Sequence, residues 1–366
     1  MIPYGRQEIT EKDIESVVDV LRSDFLTQGS VVPKFEHKLC EYTGAENAIA
    51  VNSCTSALHI ACLALNLGPG DILWTSPISF VASANCGLYC GASVDFVDID
   101  PNTALLSIKK LEEKLQYAKK KGKLPKIVIP VHFGGQPCDM KEIYALSKKY
   151  NFKIIEDAAH AIGAKYQDKL IGSCQYSDIT VFSFHPVKII TTGEGGVAMT
   201  NNLQLSDRMR LLRSHGITRD VSKMKNKPDG AWYYEQIDLG FNYRMTDIQA
   251  ALGISQLNRI EQYVSRRNEI AEWYNKKFRT TDISPLMQKM GRSSAYHLYV
   301  ILIKGGRQQR DVLYNYLLKN DIGVNLHYIP VYKHPFFNKN SCLENAEYYY
   351  KHAISLPIYP TISSKD

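Results

Sequence analysis

The stretch Lys126–Asp157, KIVIPVHFGGQPCDMKEIYALSKKYNFKIIED, decides the fold. Its opening Lys126–Pro130 is a near-continuous apolar run and reads as a buried strand. Lys141–Tyr150 reads as a helix, and Lys153–Glu156 as a second buried strand. Apolar strands separated by helices mean a mostly parallel sheet covered on both faces. The alternation continues outward. Toward the N-terminus Ser93–Val97, Ile72–Thr75 and Ala48–Val51 read as strands. Leu111–Lys119 and Phe80–Cys90 read as the helices between them, and another helix follows Asn52–Ser56. Toward the C-terminus Asp178–Phe182 adds a strand. The sheet is expected to occupy about residues 45–215, an α/β class.

Before the sheet, Thr10 offers a helix cap with Asp13 three residues on, and Ile14, Val17, Val18 and Leu21 follow at helical spacing. Asp24–Gly29 reads as a loop and Pro33–Tyr42 as a second helix. After it, Met245–Phe278 reads as one long helix bridging to a smaller α+β domain. That domain is read as a strand in HLYVILI (297–303), a helix Gln308–Leu318 and a strand Gly323–Leu326. The expected division is residues 1–245 and 246–366. The last residues, Ser363–Asp366, read as a helix start with nothing after it. Asp168 falls in an expected turn, YQDKLIG.

The composition bounds the function. The 366 residues are 45% hydrophobic and 22% charged, which excludes a disordered or collagenous chain. No window approaches the roughly 18 apolar residues of a membrane helix. MIPYGRQEIT lacks a signal peptide's apolar core, so a soluble, cytoplasmic protein is expected. A net charge of +7 favours acidic ligands mildly, and no basic arm suggests nucleic acid. The eight cysteines form no CxxC and no histidine pair sits at zinc spacing. They read as reduced core thiols, with no metal expected.

Four features fall at C-terminal strand ends, where open α/β sheets bind ligands. Asp157 ends FKIIED, with His160 close behind; alone, it is also a helix cap. Lys188 lies in FSFHPVKIITTGEGG (182–196), a loop between an apolar strand and glycines. A desolvated lysine there is a nucleophilic amine, although most lysines are surface residues. NSCTSALH (52–59) places Thr55 and Ser56 at a helix N-terminus that can cradle a phosphate, or is simply capped. Phe80 in PISFVASAN can stack on a planar ring, or fill the core. Together they form what pyridoxal 5′-phosphate (PLP) requires: a lysine for the aldehyde, an acid for the pyridine nitrogen, a helix N-terminus for the phosphate and an aromatic plate.

These motifs, with LTQG, EDAAHAIGA, LRSHG, LGFNYRMTDIQAALG and HYIPVY, resemble the DegT/DnrJ/EryC1/StrS sugar aminotransferases of the fold-type I PLP superfamily. The resemblance implies a seven-stranded, mostly parallel sheet and a smaller C-terminal domain. It implies that Lys188 is the Schiff-base lysine and proton shuttle, Asp157 the partner of the pyridine nitrogen, and Phe80 the stacking ring. His160 would stand near the phenolic oxygen. Cys54, Thr55 and Ser183 would bind the phosphate, with Cys54 standing where alanine is more familiar. Asn242 would reach the neighbouring subunit's phosphate, which implies a homodimer with shared sites. Tyr4, Asp24, Phe25, Leu26, Thr27, His327 and Tyr328 would meet a nucleotide-sugar, and contacts to its diphosphate from His327 or backbone donors would be charge-assisted and position the sugar. L-Glutamate is the implied amino donor and a UDP-linked 4-keto sugar the implied acceptor. A sugar 3-dehydratase would carry histidine at 188. A C3 transaminase more often reads FYPSKNLG before GDGG. A non-catalytic scaffold would not need Lys188 and Asp157.

Overall fold

The computed structural model describes residues 1–337 and 342–363, so Ser364–Asp366 lie outside the described residues. Its centre is a seven-stranded sheet. In chain order the strands are β1 (Asn47–Val51), β2 (Ile72–Thr75), β3 (Ser93–Phe96), β4 (Ile127–Ile129), β5 (Lys153–Asp157), β6 (Ile179–Ser183) and β7 (Gly196–Thr200). Their spatial order is β1-β7-β6-β5-β4-β2-β3. β7 runs antiparallel to both β1 and β6, and the pairs from β6 to β3 are parallel. The sequence patterns identify six of these strands. The seventh, GVAMT, begins inside the glycine cluster that reads as loop.

Right-handed crossovers fix where the helices go. The connections β1→β2 and β2→β3 run the same way along the sheet, and carry α3 (Cys54–Ala64) and α4 (Ala82–Tyr89). The connections β3→β4 and β4→β5 run the opposite way, and carry α5 (Ile108–Lys121) and α6 (Met140–Tyr150). The first pair therefore covers one face and the second pair the other; α3 packs on α4, and α5 on α6. Ile49, Ala50, Val51, Leu73, Ile127–Ile129, Ile155, Val181 and Phe182 are wholly buried between the layers.

The N-terminal part differs from simple surface helices. α1 (Glu11–Leu21) and α2 (Val31–Thr43) both lie on α8 (Asp247–Leu257), which follows α7 (Leu203–Arg213) in the chain, and Asp13 does more than cap α1. The Asp13 carboxylate takes the Thr10 N–H at 2.9 Å, Gln256 at 2.9 Å and Arg259 at 2.6 Å, with no exposure to solvent. The expected single helix Met245–Phe278 is two helices, α8 and α9 (Ile260–Phe278), joined at Asn258–Arg259. Arg259 leaves helical geometry there, at φ −112° and ψ 7°, while its guanidinium reaches Asp13.

A second, smaller core gathers Ile270, Tyr299, Ile301, Ile354, Leu356 and Ile358. Its antiparallel sheet runs Ile283–Pro285, Tyr299–Ile303, Ala353–Leu356. The segment Gly323–Leu326 is not a strand; only Asn325 bridges, to Ser355. Residues 2–4 also join this unit, since Gly323 N–H donates to the Ile2 carbonyl at 2.7 Å and Ile358 N–H to that of Tyr4 at 3.1 Å. Asp168 sits in the turn of a small hairpin, Lys165–Tyr166 with Lys169–Leu170. The cysteines of the described structure are free, and Cys342 is exposed rather than in the core. Among the described residues no helix is long and apolar enough to cross a membrane.

Candidate active site

Strand register brings the site together. Asp157 ends β5 opposite Val181, and Ser183 ends β6 two residues further on. Gly196, the first residue of β7, lies between Ser183 on one side and Val51 on the other. The chain leaving β1 at Val51 enters α3 within three residues. The ends of β1, β5 and β6, the start of β7 and the N-terminus of α3 thus share one edge.

At that edge the cap of α3 is made by Ser53, whose Oγ accepts the Ser56 N–H at 3.1 Å. Ala57 N–H returns to the Ser53 carbonyl at 3.1 Å. Among the described residues this leaves the N–H groups of Cys54 and Thr55 without a protein partner, at the positive end of a helix. Gly196 makes the approach possible. A Cβ on it would lie 2.5 Å from the Cys54 nitrogen and 2.7 Å from its Cα. Ser183 is buried beside it, with its hydroxyl 3.5 Å from the His185 N–H.

Lys188 lies on the loop after β6. Its N–H closes a turn on the His185 carbonyl at 2.9 Å, and Thr192 N–H returns to the Phe184 carbonyl at 3.0 Å. Burial pushes the ammonium down to about 8, against the opposing pull of Cys54 and Asp157. A side chain that is only partly exposed therefore carries an amine that deprotonates near neutral pH. Burial also pushes the Cys54 thiol well up, helped by Asp157, so it stays a thiol.

Asp157 is 5% exposed. Ser83 donates to its Oδ2 at 2.5 Å, and the Ala159 N–H to its Oδ1 at 3.1 Å. Ser79 stands 2.5 Å behind Ser83. His160 is equally enclosed. Its Nδ1 accepts the Gly134 N–H at 3.3 Å, and its Nε2 lies 3.3 Å from the Tyr328 hydroxyl. Burial, then Lys188 and His327, hold it neutral, well below the usual histidine range. Tyr328 also lies 6.4 Å, ring to ring, from Phe80, which is 60% exposed and stands just before α4. Tyr4 packs against His327 at 5.4 Å between ring centroids.

His327 is held neutral. Burial, aided by Lys188, pushes it down to about 4, and its Nδ1 is engaged with Ser355 at 2.8 Å. Neutral and 7% exposed, the ring would meet a diphosphate through an N–H alone, with the charge of the contact residing on the anion.

Two expected groups are not brought to Lys188 within the chain. Thr27 bridges Thr246, and the Leu26 carbonyl accepts the Asp247 N–H at 2.9 Å. The Asp247 carboxylate takes the N–H groups of Gly29 at 2.8 Å and Val32 at 3.0 Å. Asp24–Thr27 is therefore a pinned loop that holds Phe25 and Leu26 out at the surface, 61% and 46% exposed. Asn242 is exposed; its carbonyl is 3.4 Å from the Asn52 side-chain nitrogen, at the end of β1. A groove of about 510 Å³ beside this loop, lined by Gly29, Val32, Glu36, Arg213 and Arg244, carries none of the residues around Lys188.

The cluster fits PLP. Two free N–H groups and a space that any side chain at 196 would fill suit a phosphate. A desolvated amine suits an aldehyde, and a carboxylate held by Ser83 and a backbone N–H suits a pyridinium nitrogen. Ser83 and His297 were not evident in the sequence. Ser83 follows Phe80 by one helical turn, which is the only signal it gave.

Comparisons with known proteins agree with this chemistry. The chain is 40% identical over 371 residues to UDP-4-amino-4,6-dideoxy-N-acetyl-beta-L-altrosamine transaminase of Campylobacter jejuni subsp. jejuni serotype O:23/36 (strain 81-176), covering 100% of this chain and 94% of that one. Helicobacter pylori PseC, an aminotransferase involved in pseudoaminic acid biosynthesis, superposes with a TM-score of 0.90 at 31% identity, over 100% of this chain and 95% of that one. Spr1654 of Streptococcus pneumoniae, solved in a PLP form, superposes with a TM-score of 0.89 at 29% identity, over 100% and 95% of the two chains. PLP is the cofactor, and the fold is fold-type I. A family model matches residues 7–366, and the chain belongs to the DegT/DnrJ/EryC1/StrS aminotransferase family.

Proposed function

We propose that this aminotransferase moves an amino group from L-glutamate to C4 of a UDP-4-keto-6-deoxy-N-acetylhexosamine, UDP-2-acetamido-2,6-dideoxy-β-L-arabino-hexos-4-ulose, in pseudaminic acid biosynthesis. The observation that carries the reading is the full-length, 40% identity to a transaminase whose name specifies a 4-amino-4,6-dideoxy sugar. The HPVKIITTGEGG form of the lysine loop supports C4 over C3.

PLP, when bound, supplies an electron sink that acidifies the carbon bearing the transferred nitrogen. The rest falls to the chain. Lys188, its amine uncharged in an appreciable fraction near neutral pH, holds the aldehyde at rest. Once displaced by the amino donor, its freed amine would take the proton from the donor's α-carbon and give it back at the far end of a 1,3-proton shift. It does the reverse with the sugar, so one residue serves as base and acid. Asp157, fixed by Ser83, keeps its carboxylate on the pyridine nitrogen. The N–H groups of Cys54 and Thr55, with Ser183, would hold the phosphate, Phe80 would stack on the ring, and His160 would stand near the phenolic oxygen.

The working unit we infer is a cytoplasmic homodimer. Phe25, Leu26 and Asn242 are rigidly placed yet exposed, as residues completing a neighbour's site would be. Tyr4 and Tyr328, with Asp24–Thr27 from the partner, would meet the sugar nucleotide, and His327 would position Tyr4 by ring contact. The test is incubation with PLP, L-glutamate and a panel of UDP-linked 3-keto and 4-keto 6-deoxy sugars, with the amino sugar identified by mass and NMR. Turnover of the β-L-arabino 4-ketone is expected. Turnover of only a 3-ketone, or of only the D-configured 4-ketone, would reject the assignment while leaving the family intact.

A further inference from the structure

We propose that His297 is a positioning residue: its ring, packed on His160, fixes the imidazole that frees the Tyr328 hydroxyl proton to donate to the ligand. The inference rests on the proposed function only in that Tyr328 meets the ligand.

A neutral imidazole carries one proton. The Nδ1 of His160 accepts the Gly134 N–H, so its own proton is on Nε2, facing the Tyr328 oxygen. Tyr328 therefore accepts from His160, and its hydroxyl proton is free to donate to an oxygen of the ligand. Both contacts are 3.3 Å long, too weak to hold a ring plane alone. Phe133 meets the ring edge-on at 6.1 Å between centroids, and the nearer restraint is His297. Its ring centroid is 4.3 Å from that of His160, at an interplanar angle of 43°.

The surroundings are built for this approach. Ala295 N–H donates to the Gly135 carbonyl at 3.1 Å, and Leu298 N–H to that of Gly134 at 3.2 Å. Gly135 has φ 101°, and a Cβ on it would lie 2.8 Å from the Tyr296 nitrogen and 3.0 Å from both the His160 carbonyl and the His297 nitrogen. Only glycine lets the three segments meet. Behind them Arg267, 1% exposed, donates to the carbonyls of Tyr296 at 3.2 Å and His297 at 3.4 Å. Among the described residues the His297 Nδ1 is enclosed with no hydrogen-bond partner, and the contact the residue makes with His160 is that of its ring. Burial, then His160, Lys188, Arg267 and His327, keep it uncharged, so it does not repel a neighbouring imidazole.

The test uses the full chain labelled with ¹⁵N-histidine, with and without PLP. Nitrogen–proton correlation spectra report the His160 tautomer; His160→Asn assigns the signal. Wild type and His297→Phe, which keeps a flat ring, should show a single Nε2–H tautomer. His297→Ala and His297→Leu should show a tautomer mixture. In those two, kcat should fall by about tenfold with little change in the KM for glutamate, and His297→Phe should recover most of the loss. An unchanged tautomer in both His297→Ala and His297→Leu would overturn the proposal, as would a His297→Phe as impaired as His297→Leu. A wild type with the expected tautomer but no amino transfer would instead reject the proposed function.

Discussion

Ser83 donates its hydroxyl to Asp157 across 2.5 Å, from the first turn of α4 to the last residue of β5. The contact orients a buried carboxylate toward the site, and a hydrogen bond to a charged group contributes more than a neutral one. Ser83→Ala should retain PLP and lower kcat by about tenfold. Asp157→Asn, which keeps the shape and removes the charge, should lower it by about a hundredfold or more. Steady-state kinetics at saturating PLP decide this; a Ser83→Ala enzyme at wild-type rate would show that the contact is not used.

Lys188 should titrate as an amine at about 8 in the PLP-free enzyme. Competitive labelling of its amine against pH reads the midpoint directly. The sign of the stability effect follows. Below about 8 the folded protein buries a charged ammonium, which costs stability. Above that value the folded state has lost the proton while the unfolded chain keeps it up to 10.5. The lysine's contribution to stability therefore rises with pH between those values. Lys188→Met should be more stable than wild type below pH 8, by about 2 kcal/mol after allowance for partial exposure. Lys188→Ala should lose at least about a thousandfold in turnover.

Gly196→Ala places a methyl group against the Cys54 nitrogen. Either α3 or β7 must shift, at a cost of about 1–3 kcal/mol. Affinity for PLP should fall much more than the unfolding temperature, because the displaced groups are the phosphate donors. Equilibrium dialysis of PLP alongside thermal unfolding separates the two; unchanged affinity would move the phosphate elsewhere.

Asp247→Ala removes the carboxylate that pins Gly29 and Val32. With the partner contact proposed for Asp24–Thr27, the KM for the sugar nucleotide should rise while glutamate binding is spared. Mixing Lys188→Ala with Asn242→Ala chains should restore part of the activity through hybrid dimers. No recovery from exchanging subunits would argue that each chain completes its own site.

Much of this was legible in the chain because it is local. ILW, KIVIP, FKII and ITVF are buried on both faces, so each reads as a strand without any partner in view. Asp157 announces itself because it ends such a run, and Lys188 because it lies in the loop after one, between strand and glycines. What escaped depends on distant chain. GVAMT is a strand only because Gly196 lies between Val51 and Ser183. The break at Asn258–Arg259 reflects Arg259 reaching Asp13, 246 residues away in sequence. Gly323–Leu326 looked extended enough to pair, yet only Asn325 forms a strand bridge, to Ser355. The neutral state of His327 comes from burial that a sequence pattern does not display. His297 sits in an ordinary apolar strand motif, and its meeting with His160 needs Gly135 from a third segment.

The most direct measurement is transfer of label. With L-[¹⁵N]glutamate and the UDP-linked β-L-arabino 4-keto sugar enriched in ¹³C, the product should show nitrogen bonded to C4, with one equivalent of 2-oxoglutarate formed per amine. Nitrogen on C3, or 2-oxoglutarate without labelled sugar, would contradict the account.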